Sequence, residues 1–346
     1  MKLGLSIGSR GGQFALDMDL ITEAENLGFD SLWTSESWGH DAVTPAAWAL
    51  AKTSKIKVGT GIIQMTTRTP TMTAMTAITL SQMSGGRFIL GLGPSGPQVV
   101  EGWHGVPFGK PLTRLREYVS IVRDVLERKG PLNHQGEHYQ FPYKGEGATG
   151  LGIPLKSILH GDPSMRIVTG AISSAGVKVA AEVADGFIPI YMDPTRFDVF
   201  APHVEAGFAK AGKGRTLDDF AVMPMCYINI DDDVEVASRP VRENISFYIG
   251  GMGARDKNFY CDYAKRIGFE AEATHIQNLF LDGKRGEAAA AVPQALVDQV
   301  SLVGPKERIV EKLADWKSAA KKRHVDTLIA RTNSVEAIRL LAETVL

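Results

Sequence analysis

The sequence predicts an α/β fold made of one domain over residues 1–346, a (β/α)8 TIM barrel with a helical insertion between the seventh and eighth strands. A length of 346 residues suits such a barrel, because barrels of this class run past about 250 residues when they carry insertions. Eight short apolar runs alternate with helical patterns along the chain. This alternation predicts parallel strands covered by helices, and eight repeats favour a barrel over a doubly wound sheet.

The eight runs are predicted as β-strands because each is short and either apolar or mixed only with small residues, as strands buried on both faces are. In chain order they are residues 3–7, 31–34, 57–63, 88–92, 166–169, 187–190, 222–230 and 327–330.

Helical patterns with recognisable ends separate the strands. Leu16, Leu20, Ala24 and Leu27 repeat at helical spacing, and Gly28 provides the stop. Further helices are predicted after Thr69-Pro70 up to Gly85-Gly86, from Leu115 to Leu126, after Ser174, and after Gly304-Pro305.

Two stretches depart from the alternation. Residues 133–152 are rich in glycine and turn formers, which predicts a hairpin or a loop. Residues 231–303 have a mostly helical pattern without a convincing strand, and we expect them to lie over the barrel mouth as a cap. The alternative is a separate C-terminal domain. The last strand and helix argue against it, because the barrel needs them to close.

Composition narrows the range of partners. The chain is 44% hydrophobic and 22% charged, and 38 basic residues nearly balance 39 acidic ones, so we expect a globular protein that binds no nucleic acid. Two cysteines, Cys226 and Cys261, cannot form a disulfide framework and fit a reducing compartment. Signal-peptide features are missing, and every apolar run falls short of the roughly 18 residues of a membrane span. These features predict a cytoplasmic protein without a membrane partner.

Residues 91–96, Gly-Leu-Gly-Pro-Ser-Gly, match the G-x-G-x-x-G pattern of dinucleotide sites after a predicted strand. That site needs backbone N–H groups at the start of a helix, and Pro94 and Pro97 each remove one. We therefore predict a loop at the C-terminal end of a barrel strand, where active-site loops lie.

Residues 134–138 match the H-x-x-E-H pattern of zinc enzymes. Zinc binding by this pattern requires a helix that brings both imidazoles to one face. Gly136 and the flanking Pro131 and Pro142 favour a hairpin, and the other histidines lack ligand spacing. We therefore predict no metal.

Two short segments could bind an anion. Residues 171–176 open a predicted helix with small and hydroxyl residues, which suits either an anion site at a helix N-terminus or a simple serine N-cap. Arg68, just before Thr69-Pro70, suits an anion contact or a plain helix start. The residues themselves leave both questions open.

Several segments together resemble the bacterial luciferase-like superfamily of flavin and deazaflavin enzymes. They are AENLGFDSLW (24–33), VGTGI (58–62), RTP (68–70), SGGRFILGLG (84–93), ADGF (184–187) and VGP (303–305). Residues 95–103, SGPQVVEGW, look like the branch that uses coenzyme F420, and are similar to methylenetetrahydromethanopterin reductase-like oxidoreductases of actinobacteria.

The resemblance implies that a tricyclic ring binds at the C-terminal mouth of the barrel, against a bulge in the third strand that often contains a non-proline cis peptide bond. That bulge falls at Gly61-Ile62, and Gln64 would reach the ring edge. The loop after the fourth strand, residues 94–99, and the turn after the fifth, residues 170–174, would hold the polar tail and phosphate of the cofactor. This implied role favours a functional role for Ser173 and Ser174. The implied cofactor-binding residues are Gly61, Ile62, Gln64, Pro94, Ser95, Gly96, Gln98, Val99, Gly170, Ala171, Ile172, Ser173 and Ser174.

One departure concerns catalysis. Deazaflavin dehydrogenases of this superfamily end the second strand in an acid followed by a catalytic histidine, with a tryptophan four residues further on. Here Glu36, Ser37 and Asp41 stand at these places, and the glutamate after the fourth strand is replaced by Gly96. We therefore do not expect a sugar-phosphate dehydrogenase.

The residues that remain as catalytic candidates are Glu36, Trp38 and His40. Glu36 keeps the acidic position that contacts the cofactor, Trp38 would stack on the substrate, and His40 would transfer a proton. A merely structural role for His40 is the alternative.

The resemblance predicts an F420-dependent oxidoreductase that moves hydride between C5 of the deazaflavin and a small organic substrate, and that forms a homodimer. FMN is the alternative cofactor. The rival functions are an FMN-dependent monooxygenase and a barrel that binds cofactor without catalysis.

Overall fold

The computed structural model describes residues 1–8, 12–212 and 214–346. Its strands are β1 Lys2–Ile7, β2 Ser31–Thr34, β3 Lys57–Thr60, β4 Ile63–Gln64, β5 Phe88–Gly93, β6 His134–Gln135, β7 Gln140–Phe141, β8 Ile167–Gly170, β9 Gly186–Ile188, β10 Ala221–Val222, β11 Met225–Ile230, β12 Ser301–Gly304 and β13 Thr327–Arg331.

The α-helices are α1 Met18–Asn26, α2 Val43–Lys52, α3 Pro70–Met83, α4 Pro97–Val100, α5 Pro111–Glu127, α6 Ser174–Val183, α7 Ala201–Ala211, α8 Val234–Gly251, α9 Phe259–Arg266, α10 Glu270–Leu281, α11 Arg285–Ala290, α12 Gln294–Val300, α13 Lys306–Lys321 and α14 Val335–Val345. Two short 3-10 helices, Phe197–Val199 and Leu217–Asp219, complete the list for the described ranges.

The large sheet has the order β10-β9-β8-β5-β3-β2-β1-β13-β11-β12, with β4 paired to β5. Its strand pairs are parallel, which requires crossover connections and explains the helices between the strands. Each of the eight predicted runs contains a strand. The third run is divided into β3 and β4, and the seventh into β10 and β11. The predicted mixed α/β fold is therefore confirmed.

The sheet is strongly curled. Only Met223 and Pro224 separate β10, which pairs with β9, from β11, which pairs with β13. The amide of Met225 donates to Pro189 O at 2.9 Å, and the amide of Ile329 donates to Pro224 O at 2.9 Å. Pro224 has no N–H to donate, which accounts for the interruption of the strand. The broken seventh strand thus bonds to neighbours on both of its sides.

Side chains on the inner face of the curl pack against each other. They are Trp33, Ile89, Val168, Ile188, Ala221, Met223 and Ile329. Alternate residues such as Leu328 and Ala330 point to the other face and pack against the helices. Trp33 is fully buried, and a Cβ at Gly59 would lie 2.5 Å from its ring. A filled interior places any ligand site above Trp33, at the C-terminal ends of the strands.

The helix ends follow the predicted signals. Thr69 Oγ1 accepts a hydrogen bond from the amide of Met72 at 3.2 Å, and Pro70 is the first residue of α3. Gly85 and Gly86, with φ of 67° and 85°, end that helix in a conformation that favours glycine.

Residues 134–138 form part of the β6–β7 hairpin, as predicted, and not a helix. The Glu117 carboxylate on α5 accepts hydrogen bonds from the amides of Glu137, His138 and Tyr139. Burial opposes ionisation of Glu117, but these N–H groups outweigh it and lower its pKa. Within the described ranges, no three His, Cys, Asp or Glu side chains are grouped as a metal site.

The stretch 231–303 contains the five helices α8 to α12, but it also ends in a strand. Residues Ser301–Gly304 are wholly buried and pair with β11, so the expectation of no strand there is wrong. Four residues are too short a run to stand out beside a helical pattern. In the described part of the chain, no helix has the length and apolar character needed to cross a membrane.

Candidate active site

Three glycines face the mouth at the ends of neighbouring strands. Gly61 follows β3, and Gly93 and Gly170 end β5 and β8. The Gly61–Ile62 peptide bond is cis, as the resemblance implies. A Cβ at Gly93 would lie 2.8 Å from Ile62 Cδ1, and one at Gly170 would lie 3.3 Å from Ile62 Cγ2. The side chain of Ile62 therefore lies across the two glycines and packs on the inner cluster that contains Trp33, so it offers an apolar surface to the mouth.

A buried ion pair stands beside this surface. Arg68 Nη1 donates to Glu36 Oε1 at 2.7 Å and to Oε2 at 2.9 Å, and the Glu36 side chain is only 5% exposed. Glu36 also accepts from the amides of Ala42 and Gln64, at 3.0 and 3.3 Å. The carboxylate thus ties the loop after β2 to β4 and to the start of α3. Arg68 stands directly before Thr69, the N-cap of α3, and its guanidinium binds an anion of the protein itself, the Glu36 carboxylate.

The Gln64 side chain is buried at the end of β4. Its amide Nε2 donates to Ser37 O at 3.0 Å, which fixes the orientation of the group. Its Oε1 is buried and has no hydrogen-bond partner among the described residues. Because an unsatisfied buried acceptor is costly, this oxygen is suited to a donor on a bound molecule.

Trp38 and His40 occupy the loop between β2 and α2. The Trp38 side chain is 46% exposed, and its ring lies 6.5 Å from that of Phe247 on α8. His40 packs on Phe14 with ring centroids 4.3 Å apart, and its Nε2 is buried without a partner in the described residues. Burial lowers the pKa of His40, although Asp41 and Glu36 oppose this shift. The imidazole is therefore favoured in its neutral form.

The loop after β5 turns sharply into α4. Ser95 has a positive φ of 59°, and Gly96 caps α4 through extended backbone. A Cβ at Gly96 would lie 3.3 Å from Gln98 Oε1. The Val99 side chain is buried against the fold, and its amide donates to Gly96 O at 3.1 Å. Pro94 precedes Ser95 and is half-buried.

The turn after β8 receives a cation that the sequence did not reveal. Arg266 at the end of α9 donates to Ser174 Oγ and to Ile172 O, both at 2.8 Å. Ser173 Oγ accepts from the amide of Gly176 at 3.1 Å and caps α6. The N-cap interpretation is therefore confirmed for Ser173. Arg266 and Ser174 are 92 residues apart in the chain, a separation at which no local pattern could connect them.

Aromatic side chains of α8 and α9 face the rim of the strands. The Tyr248 ring lies 5.7 Å from Tyr191 and 4.7 Å from Tyr260. The Tyr191 hydroxyl donates to Asn244 Oδ1 on α8. Burial raises the pKa of Tyr191 and of Tyr260 well above the ordinary value, so both phenols stay neutral. No sequence motif pointed to this cluster, because its members come from distant elements.

The described geometry can be compared with known proteins. Residues 3–322 match the sequence model of the family described as luciferase-like monooxygenase. A Mycobacterium tuberculosis protein named as a coenzyme F420-dependent oxidoreductase is 41% identical over 347 residues, covering 100% of this chain and 99% of that protein. The 5,10-methylenetetrahydromethanopterin reductase of Archaeoglobus fulgidus is 30% identical, covering 86% and 84% of the two chains. The solved structure of the coenzyme F420-dependent tetrahydromethanopterin reductase from Methanopyrus kandleri superposes with a TM-score of 0.78 at 25% identity, over 99% and 98% of the two chains.

Proposed function

The chain belongs to the luciferase-like monooxygenase family, and from this premise we propose that it is a coenzyme F420-dependent oxidoreductase. It transfers hydride between C5 of the deazaflavin and a small organic substrate. The observation that carries the proposal is the apolar surface that Ile62 forms over Gly93 and Gly170. Two relatives support it, one named as an F420-dependent oxidoreductase and one as a methylenetetrahydromethanopterin reductase. When bound, the deazaflavin supplies the hydride chemistry.

The residues around the mouth fit a planar tricyclic molecule. Because Gly93 and Gly170 carry no side chains, Ile62 can lie against both of them and offer an apolar face to the mouth. The unpartnered Gln64 Oε1 would accept a hydrogen bond from an N–H on the ring edge. A negatively charged tail would be held by residues 94–99 and by the turn 170–174, where Arg266 adds a cation to the N-terminus of α6.

Glu36 acts in this proposal through position. Its carboxylate, held by Arg68, accepts the hydrogen bond from the backbone amide of Gln64, whose side chain would contact the ring edge of the bound cofactor. Trp38, exposed and close to Phe247, contacts the substrate, and neutral His40 accepts or donates a proton at Nε2. These roles require that the loop 36–42 keeps its bond from the amide of Ala42 to Glu36.

We also propose that the curled sheet closes as the complete (β/α)8 barrel and that residues 231–303 form the cap over its mouth within a single domain. The hydrogen bonds from both sides of β10 and β11 support closure. The contacts of Asn244, Phe247 and Tyr248 with residues of the strand rim and the loop after β2 support the cap.

We propose that the chain forms a homodimer, and the exposed apolar side chains of one surface favour it. Large apolar side chains are exposed on α3 and on the nearby segment 142–161, which Gln82 Nε2 joins through a 2.8 Å hydrogen bond to His160 O. They are Met72, Met75, Met83, Leu151, Ile153, Leu155 and Ile158. We expect a mass near twice 37.4 kDa in light scattering, and a monomer after Met75→Lys with Ile158→Lys. A monomeric wild-type protein would contradict the dimer.

Calorimetric titration of the protein with F420 and with FMN tests the proposed cofactor. We expect F420 to bind at micromolar or tighter concentrations and FMN to bind at least tenfold more weakly. Arg266→Met removes the cation at α6 and should weaken F420 binding about tenfold. Arg339→Met, which removes only an exposed ion pair with Glu23, is the matched control. Micromolar FMN affinity without F420 binding would refute the proposal.

An FMN-dependent monooxygenase is the second candidate, because the description of the matching family names that activity. Oxygen consumption in the presence of FMN and a flavin reductase measures it. We expect none above the rate of the reductase alone.

A further inference from the structure

The inner face at the mouth has two unlike halves. The half formed by β3, β5 and β8 ends in glycines, whereas the opposite half carries side chains. Ile329 belongs to the inner cluster, and side chains alternate along a strand, so Arg331 at the end of β13 points into the mouth. The same alternation, from Met223 through Met225, turns Tyr227 inward. Arg331 is paired in register with Tyr227 on one side and with Ser6 on the other.

The guanidinium of Arg331 has open hydrogen-bond donors. It stacks on the ring of Tyr227, with 4.6 Å between its central carbon and the ring centroid. Across the described ranges, no carboxylate lies within 4.0 Å of the guanidinium, and its N–H groups donate no hydrogen bond. Arg68 and Arg266, the other arginines of the site, are both occupied, by Glu36 and by α6. Arg331 is also exposed. Its guanidinium is therefore held in place by the Tyr227 ring and is available to a ligand.

The neighbouring phenol cannot neutralise this cation. Burial raises the pKa of Tyr227 far above the physiological range, although Arg331 opposes the shift. The ring therefore remains uncharged and offers its π face to the guanidinium and its hydroxyl to a ligand. A fixed arginine fork matches the two oxygens of a carboxylate or phosphate.

We propose that Arg331, supported by Tyr227, recognises an anionic group of the substrate, a carboxylate or a phosphate. This inference rests on the proposed function, because it assigns the glycine half of the mouth to the cofactor ring and the half with Tyr227 and Arg331 to the substrate. The substrate class is then a small organic molecule with an oxyanion group at the end remote from the reacting carbon. Arg331 is a specificity-determining residue in this assignment.

Matched aromatic probes test the inference. Benzoate, phenyl phosphate and benzamide share one ring and differ in charge, and their binding to the F420-saturated protein can be measured by ligand-observed NMR titration. We expect at least one anion to bind ten to a hundred times more tightly than neutral benzamide. The tighter anion identifies the oxyanion class.

Variants of Arg331 assign the effect to this residue. Arg331→Gln should reduce anion binding to the level of benzamide, and Arg331→Lys should restore part of the preference. Arg339→Gln, on the outer helix α14, is the matched control and should leave all three affinities within twofold. Because Arg331 has no polar partner among the described residues, Arg331→Gln should melt within about 2 °C of the wild type.

Equal binding of the anions and benzamide, undetectable anion binding, or an anion preference that survives in Arg331→Gln would each overturn the inference. Failure of the proposed cofactor is recognised separately, by absence of F420 binding in the calorimeter. In that event the same probes are titrated into the FMN-loaded or cofactor-free protein, and the dependence on Arg331 decides.

Discussion

Replacing Glu36 by Gln tests whether the ion pair with Arg68 organises the active site. The change keeps the shape of the side chain but removes its charge. Arg68, only 22% exposed, is then left without its counter-ion. Each Glu36 oxygen accepts two of the four hydrogen bonds from Arg68, Ala42 and Gln64, so an amide nitrogen in place of one oxygen leaves two of these bonds without an acceptor.

The magnitude follows from burial. Breaking a fully buried ion pair costs about 3–5 kcal/mol. Because Arg68 retains some contact with water and glutamine still accepts a hydrogen bond, we expect a loss of about 2 kcal/mol in the free energy of unfolding. For a chain of 346 residues, an unfolding entropy of about 0.7 kcal/mol/K converts this loss into a fall of about 3 °C in Tm.

Thermal unfolding and F420 titration of Glu36→Gln, Arg68→Met and the double variant measure these effects. The double variant should lose at least about 1 kcal/mol less than the sum of the single variants, because the residues interact directly. F420 binding should weaken about three- to tenfold in Glu36→Gln, since the amide of Gln64 is released. Glu23→Gln, in an exposed ion pair, is the control and should lose under about 0.5 kcal/mol. Additive losses, or a Tm equal to that of the control, would refute the reasoning.

Three further substitutions probe the site and its surroundings. Gly93→Ala should displace Ile62 Cδ1, which lies only 2.8 Å from the position of the new Cβ. We expect F420 binding to weaken at least about tenfold, with a loss of unfolding free energy under about 1 kcal/mol because a terminal methyl can rotate away. Unchanged F420 affinity in a titration would contradict this prediction. Burial lowers the pKa of His40, so the unfolded chain binds the proton first as pH falls through 6.5, and folding stability decreases there. His40→Asn should flatten the difference in unfolding free energy between pH 7 and pH 5, and an unaltered slope would show that His40 does not contribute. Burial raises the pKa of Tyr139 to about 12 from 10.0, so stability should fall as pH rises between these values, and Tyr139→Phe should remove part of that fall in alkaline melting curves.

The strands and most helix ends could be predicted from the sequence because their causes are local. A strand covered on both faces must be apolar along its length, which marks each run wherever it occurs. Thr69 and Pro70 start α3, and Gly85 ends it, through bonds and φ angles within a few residues. The hairpin at 134–141 was equally predictable, because proline and glycine exclude a helix there.

Resemblance located the cis peptide at Gly61–Ile62 and pointed to Gly170, whereas the residues themselves offered no signal for them; Gly93 was not among the predicted site residues. The short strand β12 was missed because a four-residue apolar run does not differ from one side of a helix. The roles assigned to Trp38 and His40, and to the loop 94–99, remain predictions.

The tertiary structure alone decided which polar groups meet. The tertiary fold brings together three pairs: Glu36 with Arg68, Ser174 with Arg266 at the end of α9, and Tyr227 with Arg331. Each pair joins residues far apart in the chain, and an arginine in isolation has the same chemistry wherever it stands. The sequence determined the type and order of the helices and strands through short-range preferences. Which residues surround each charged side chain depended on how the sheet curls, and no single segment of the sequence contains that information.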